Sequence, residues 1–368
     1  MRPSELPSPD AQALASSRAL LEMIGAELQA SGNWMSFARY MALVLYAPGL
    51  GYYAAGARKF GAGGDFVTAP ELSPLFGRTL ARQVKEILRP GEAVLEFGAG
   101  SGALAESMLG DFPYCILETS AELKDRQKKR LGNRVQWLDR LPEKFRGVIL
   151  ANEVLDAMPV HALAWTPNGI LERGVCVNEG QLAWSDRPAK FENVKLEIEV
   201  PPSGRYESEL ALAARAWMRS LGGCLQRGAI LVIDYGFPER EYFHPQRSMG
   251  TLACHYRHHA HGDPFYLPGL QDVTAHVDFS ALARAAADAG LEVLGYTGQA
   301  QFLVNCGITE LLAAENPADP QRYLPAAAAV QKLHSPAEMG ELFKVLAVGK
   351  GVACPLMGFT RGDRSASL

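Results

Sequence analysis

No apolar run in this chain approaches the roughly 20 residues needed to cross a bilayer, and the first ten residues hold Glu5, Asp10 and three prolines instead of an apolar or arginine-rich leader. Secretion and membrane insertion are not expected. The six cysteines, at 115, 176, 224, 254, 306 and 354, form no C-x-x-C pair. That spacing argues against a zinc site or a disulfide framework and for reduced thiols, which makes the cytoplasm the expected compartment. Charge of one sign is lacking too: 36 lysines and arginines stand against 40 aspartates and glutamates. Such a balance provides no global field for nucleic acid or an anionic membrane, so recognition has to come from local sites. There is no internal repeat and no low-complexity tract.

What is present suffices for a large core: 368 residues, 48% of them apolar, enough for one enlarged domain or two smaller ones. Helical spacing runs through residues 13–45, then breaks into a loop dense in glycine and aromatics, and returns at 72–88. Short apolar runs at 93–97, 114–118, 135–138, 147–152 and 229–234 then alternate with helical stretches. This is the pattern of a parallel α/β sheet whose strands are buried on both faces. Residues 162–185 carry three strand-like runs with turn signals at Pro167-Asn168-Gly169 and Asn178-Glu179-Gly180, an antiparallel insertion and a candidate dimer edge.

Residues 207–221 read as a helix. About 40 residues of loop after Asp234 exceed the usual connection length and are suspect as functional. Asp278 or Ser280 caps a helix at 279–289, and 291–296 and 343–348 read as the last strands, separated by helical matter at 308–314 and 325–333. The residues after Thr360 read as a frayed tail. Four parts result: a helical region with a candidate cofactor lid at 1–90, a nucleotide-binding core at 91–236, a candidate substrate region at 237–340, and a last strand with tail at 341–368.

The segment Val94-Leu-Glu-Phe-Gly-Ala-Gly-Ser-Gly-Ala-Leu runs from a strand through a glycine turn into a helix at 103–109. Gly98, Gly100 and Gly102 allow a tight turn and close approach of backbone to a ligand. Glu118, ending the next strand, is placed to accept hydrogen bonds from both hydroxyls of a ribose. The spacing Gly98-x-Gly100-x-x-Ala103 also satisfies the looser dinucleotide fingerprint, leaving an NAD-dependent oxidoreductase open. Glu96 weighs against it, because a carboxylate there repels a pyrophosphate but suits the sulfonium and ammonium of S-adenosylmethionine.

Further blocks extend the pattern over most of the chain: Ala38-Arg-Tyr-Met, Tyr46-Ala-Pro-Gly-Leu-Gly-Tyr-Tyr, Gly64-Asp-Phe-Val-Thr-Ala-Pro-Glu, Ala151-Asn-Glu-Val-Leu-Asp-Ala-Met-Pro-Val, Ile233-Asp-Tyr-Gly-Phe, Gly250-Thr-Leu-Ala-Cys-His-Tyr-Arg, Thr274-Ala-His-Val-Asp-Phe and Met339-Gly-Glu-Leu-Phe-Lys-Val-Leu. With these blocks the sequence resembles the MidA-type methyltransferases, the family that includes the mitochondrial complex I assembly arginine methyltransferase. The resemblance implies a Rossmann-like seven-strand methyltransferase sheet, mostly parallel with the last strand antiparallel, S-adenosyl-L-methionine as cofactor, and a protein substrate. Arginine in a respiratory complex I subunit is the substrate class of the mitochondrial branch, and carries over here by analogy.

Ligands of open α/β sheets lie beyond the carboxyl ends of the strands, which places Glu96, Glu118, Asp139, Asn152, Glu153 and Asp234 along one rim. An arginine acceptor must lose a proton as its new bond forms, and paired carboxylates orient and polarise a guanidinium. Glu153 and Asp156 are the candidate catalytic pair, although Asp156 also suits a turn cap before Pro159. Cofactor contacts are expected from Glu96, Gly98, Gly100, Gly102, Glu118, Asp139 and Asn152, and from Asp65, Thr68 and Ser73 if residues 61–73 form a lid. Five histidines, at 255, 258, 259, 261 and 276, match no closed zinc spacing and read as hydrogen-bonded or substrate-contacting, so no metal is expected. Tyr235, Tyr256, Phe265 and Tyr266 read as loop packing or as a wall beside the acceptor. A non-catalytic assembly factor that keeps the cofactor fold as a scaffold remains the alternative of a different class.

Overall fold

A computed structural model describes residues 6–54, 68–110, 112–191, 198, 200–201 and 204–368, and the statements below concern these residues. Its centre is a sheet of seven main strands: β1 (Ala93–Phe97), β2 (Tyr114–Leu117), β3 (Gln136–Leu138), β4 (Phe145–Asn152), β5 (Leu225–Phe237), β6 (Glu292–Gly298) and β7 (Phe343–Lys350). They lie in the order β6-β7-β5-β4-β1-β2-β3. Strands β1 to β5 pair in parallel with their neighbours, whereas β7 runs antiparallel to both β5 and β6. Consecutive residues Val148 to Ala151 and Ala229 to Ile233 are all buried, because helices cover both faces of the sheet.

The helix Pro74–Ile87, with Ser73 as its N-cap, packs one face together with Ala103–Met108. Leu212–Cys224 and Phe279–Asp288 cover the other. Asp278 caps the last of these, its carboxylate accepting from the Ala281 amide at 2.9 Å.

The insertion between β4 and β5 is larger than the sequence pattern indicates. Its expected strands occupy His161–Thr166, Gly169–Asn178 and Gln181–Pro188, but Tyr206–Leu210 joins them as a strand antiparallel to His161–Thr166. Residues 207–210 therefore belong to a sheet where a helix was expected, and helix starts only at Leu212. Pairing and burial of Tyr206, Ser208 and Leu210 override a run of good helix formers. Helices Ala11–Ala30 and Phe37–Tyr46 pack on this second sheet.

The long stretch after β5 is likewise structured, with a three-stranded antiparallel sheet of Ala253–Tyr256, His259–His261 and Asp272–Thr274. The last residues are not a frayed tail. Asp363 accepts from the Tyr296 amide at 3.0 Å, the Thr297 hydroxyl donates to the Gly362 carbonyl at 2.7 Å, and Leu368 packs on the core. Polar composition concealed this docking, since hydrogen bonds and not apolar periodicity hold the segment. Among the described residues no helix is long and apolar enough to cross a membrane.

Candidate functional site

A cavity of about 930 Å³ opens at the carboxyl ends of β1, β2, β4 and β5, within the size range of sites for small ligands. Its first wall is the turn after β1. Gly98 and Gly100 adopt φ of 59° and 53°, the left-handed region that glycine enters without steric cost, and both line the cavity. A Cβ on Gly98 would come within 3.2 Å of the Val154 side chain. Gly102 also has positive φ, but it heads the helix Ala103–Met108 and faces Leu131, 3.2 Å from where its Cβ would stand. Its place is in helix packing, outside the cavity lining, contrary to the expected cofactor contact.

Glu118 sits where expected, at the end of β2 and in the cavity wall. One carboxylate oxygen accepts from the Ser120 amide at 2.9 Å and the other from Gln127 Nε2 at 3.0 Å. Gln127 also donates to the Gly100 carbonyl at 3.0 Å, so one side chain couples the glycine turn to this acid. Glu96 is buried at the base of the wall and accepts from the Tyr114 hydroxyl at 2.8 Å. Burial pushes it up to about 8 despite that bond, and the charge of Glu118 adds to the rise.

Two other expected contacts lie outside this wall. Asp139 projects from the edge strand β3 with its side chain 88% exposed and pairs with Lys124 at 2.6 Å. The sheet ends there, so the residue after β3 turns into solvent and not over the crevice. Ser73 is buried and spends its hydroxyl on the Leu75 amide at 3.1 Å. Thr68 does line the cavity, while Asp65 and residues 61–67 of the expected lid lie outside the described residues.

The opposite wall follows β4. Glu153 has φ of 54°, uncommon for a residue with a side chain, and its amide donates to the Ile233 carbonyl at 2.9 Å. Such strain, held by a neighbouring strand, is a mark of functional positions. Glu153 Oε1 accepts from the Ala69 amide at 3.3 Å and from Asn152 Nδ2 at 3.1 Å. Burial and the charge of Asp156 push it up to about 8. Asp156 accepts from the Tyr235 hydroxyl at 2.6 Å and from the Ala157 amide at 2.9 Å. Burial pushes it up to about 6, with the tyrosine bond opposing.

Asp234 stands behind the pair. It accepts from the Leu155, Asp156 and Tyr235 amides at 2.9, 3.3 and 2.9 Å, bracing the turn without lining the cavity.

The lining also takes in Tyr46, Tyr53, Trp217, Asp272 and Phe343, to which the sequence pattern gave no site role, and Tyr235, one of the aromatics read as loop packing or as a wall beside the acceptor. Of the five histidines only His255 and His276 reach it. His276 is held neutral, pushed down to about 4 by burial and by the nearby Arg247 and Lys344. Among the described residues no group of three or more His, Cys, Asp or Glu is placed to hold a metal ion.

Six carboxylates line the cavity, those of Glu71, Glu96, Glu118, Glu153, Asp156 and Asp272, and no lysine or arginine does among the described residues. Buried like charges repel and raise one another's proton affinity. Such a lining suits cationic ligands and rejects a pyrophosphate. The donor set also fits S-adenosylmethionine: a glycine turn in the cavity wall where a Cβ on Gly98 would crowd Val154, a carboxylate for its ribose, and the buried Asn152 Oδ1 left without a protein partner among the described residues.

The comparisons agree. Residues 75–297 match a family described as "Putative S-adenosyl-L-methionine-dependent methyltransferase". A Burkholderia thailandensis protein crystallised bound to S-adenosyl-homocysteine superposes with a TM-score of 0.95 at 50% identity, covering 99% of this chain and 100% of that one. Protein arginine methyltransferase NDUFAF7, mitochondrial, of Danio rerio is 29% identical over 93% of this chain and 92% of its own length. The Rattus norvegicus protein of the same name is 30% identical over 85% of this chain and 80% of its own.

The mitochondrial names of these relatives overturn the expectation of a cytoplasmic location. Unpaired cysteines separate reducing from oxidising surroundings, and that is a coarser distinction than one compartment from another. A cavity lined by acids at the carboxyl ends of the strands, close superposition on a structure bound to S-adenosyl-homocysteine, and a family match over more than half its length together make this chain a member of the S-adenosyl-L-methionine-dependent methyltransferase family.

Proposed function

We propose that this methyltransferase transfers its methyl group to an arginine side chain of a protein, with Glu153 and Asp156 receiving the guanidinium. The observation that carries the reading is the charge of the cavity: six carboxylates and, among the described residues, no lysine or arginine. S-adenosylmethionine brings a single net positive charge, and a second cation entering this acidic lining favours the ionised forms of Glu153 and Asp156 over their protonated ones. The names of the relatives support arginine as that cation, and the resemblance set out above directs the search for the acceptor protein to subunits of respiratory complex I.

In this reading the bound donor supplies an electrophilic methyl group on a sulfonium. Gly98 and Gly100 let the backbone approach it, Glu118 takes the ribose hydroxyls, Glu96 lies toward its cationic end, and Asn152 and Thr68 complete the contacts. Asp156, oriented by Tyr235 and the Ala157 amide, fixes the guanidinium. Glu153 has one oxygen occupied by two donors, and takes the proton that the acceptor nitrogen sheds as its bond to carbon forms and the carbon–sulfur bond breaks. The raised proton affinity of Glu153 suits that acceptance.

The test is to make Glu153→Gln and Asp156→Asn separately and follow transfer of labelled methyl to protein beside calorimetry with S-adenosyl-homocysteine. Each variant is expected to bind the product normally and to lose about a hundredfold in transfer. Wild-type rates in both would sink the assignment, and a partner captured without label by the wild type would favour the scaffold reading instead.

A further inference from the structure

The acceptor side of the cavity contains one device twice. The Tyr235 hydroxyl donates to Asp156 at 2.6 Å, and the Tyr53 hydroxyl donates to Asp272, 3.0 Å from each carboxylate oxygen. The four residues come from four parts of the chain, namely the turn after the helix Phe37–Tyr46, the turn after β4, β5 itself, and the strand Asp272–Thr274. All four line the same cavity.

Aromatic rings hold each pair. Tyr46 stacks on Tyr53 with centroids 5.6 Å apart and planes at 22°, while Tyr235 meets Phe343 at 5.5 Å and His276 at 5.0 Å, edge to face in both cases. Burial together with the charges of Asp272 and Asp156 pushes the hydroxyls of Tyr46 and Tyr53 upward, so both stay protonated. The Ala275 amide, just beyond the strand Asp272–Thr274, donates to the Asp156 carbonyl at 2.9 Å, which brings the two pairs together in one wall of the cavity.

Each tyrosine helps fix the plane of its carboxylate, and a carboxylate, with about four lone-pair sites on its two oxygens, can accept from several donors at once. A guanidinium presents five N–H groups in one rigid plane, which two separately held carboxylates can share, and its flat delocalised charge rests well against aromatic rings. An ammonium concentrates three donors at one point, for which a single carboxylate suffices.

We propose that Asp272 is a second guanidinium-binding carboxylate acting with Asp156, that Tyr53 and Tyr235 are their positioning residues, and that the two pairs together select a guanidinium over an ammonium acceptor. This rests on the arginine reading above and adds to it a specificity site contributed by the region after β5.

The experiment uses the full-length enzyme with S-adenosylmethionine labelled in the methyl group and a proteome from cells that lack the enzyme. Labelled protein is hydrolysed and the methylated amino acids are separated. Label from the wild type in residues other than arginine would defeat the arginine reading itself, before any variant is considered. With methylarginine as the wild-type product, Asp272→Asn is expected to lower its rate of formation about tenfold or more at limiting acceptor. Affinity for S-adenosyl-homocysteine should stay within about twofold. Tyr53→Phe, which removes a single hydroxyl, should show the same pattern more weakly, and guards against a failure of Asp272→Asn to fold.

Tyr235→Phe adds a readout that mere structural damage would not move. Asp156 is faced by Tyr235, by Asp234 and Glu153, and by Tyr46 and Tyr53. Loss of the one hydroxyl that opposes its protonation should shift the acid limb of the rate profile to higher pH. A wild-type methylarginine rate in Asp272→Asn, a parallel loss of product binding there, or an unmoved acid limb in Tyr235→Phe would overturn the proposal.

Discussion

The two halves of the cavity are built by different means. The donor half is mainly backbone: two glycines with positive φ in one turn, with Glu118 fastened to that turn through Gln127. The acceptor half is mainly side chains, with Tyr53, Asp156, Tyr235 and Asp272 each oriented by a hydrogen bond to another of the four. A backbone cradle admits a ligand that never varies. A side-chain chamber can be altered residue by residue while the fold is kept, which is where a methyltransferase family can change its acceptor.

The largest expected effect tests the backbone half. Gly98→Val places a branched side chain where φ is 59° and where even a Cβ comes within 3.2 Å of Val154. Left-handed backbone costs a residue with a side chain roughly 1–2 kcal/mol, and the new atoms crowd Val154 in the cavity wall that the two residues share. Calorimetry should show S-adenosyl-homocysteine affinity reduced about a hundredfold or more with the circular dichroism spectrum unchanged. Retained binding would mean that the cradle does not rely on backbone approach.

The second expectation concerns protons and sharpens the contrast through charge. Glu96 and Glu153 are pushed up to about 8 and Asp156 up to about 6, so each holds its proton more tightly folded than unfolded. The stability these protons contribute is complete below about pH 4, the unfolded range of carboxylates, and is lost as the pH climbs through the folded values. A cationic ligand favours the ionised carboxylates and opposes that loss. The rise in melting temperature caused by S-adenosylmethionine should therefore grow from mildly acidic to mildly alkaline pH, by several degrees. S-adenosyl-homocysteine lacks the sulfonium and should show a smaller growth. Equal growth for the two ligands, or a shift that shrinks with pH, would remove the sulfonium from the electrostatic account.

The smallest expected effect marks the boundary of the donor half. Asp139 is exposed and bound to Lys124, so Asp139→Asn should leave affinity for S-adenosyl-homocysteine within about twofold of wild type. A tenfold loss would extend the donor wall to the sheet edge.

Much of the donor half could be read in the sequence because it is local. A strand, a glycine turn and an acid at the end of the next strand recur at fixed spacing, and the carboxyl ends of parallel strands are where that spacing leads. The position of Glu153 in the cavity wall could be expected for the same reason, since it directly follows a buried strand. Asp139 shows the limit of that rule, since being last in a strand says nothing about whether the strand stands at the edge of the sheet. Tyr206–Leu210 shows another, because a run of helix-forming residues became a strand once an antiparallel partner was available. The docked C-terminal residues were hidden by polarity, although their hydrogen bonds to Tyr296 and Thr297 fix them.

Alternating patterns of apolar runs and glycines determined that this chain forms a doubly covered parallel sheet with a nucleoside-type crevice, since strand burial and turn geometry depend on neighbours a few residues apart. Only the tertiary structure decided which distant side chains meet. Tyr53 and Asp272 lie 219 positions apart and Asp156 and Tyr235 lie 79 apart. Hydrogen bonds over such separations leave no period in the sequence, because they are set by how whole elements pack.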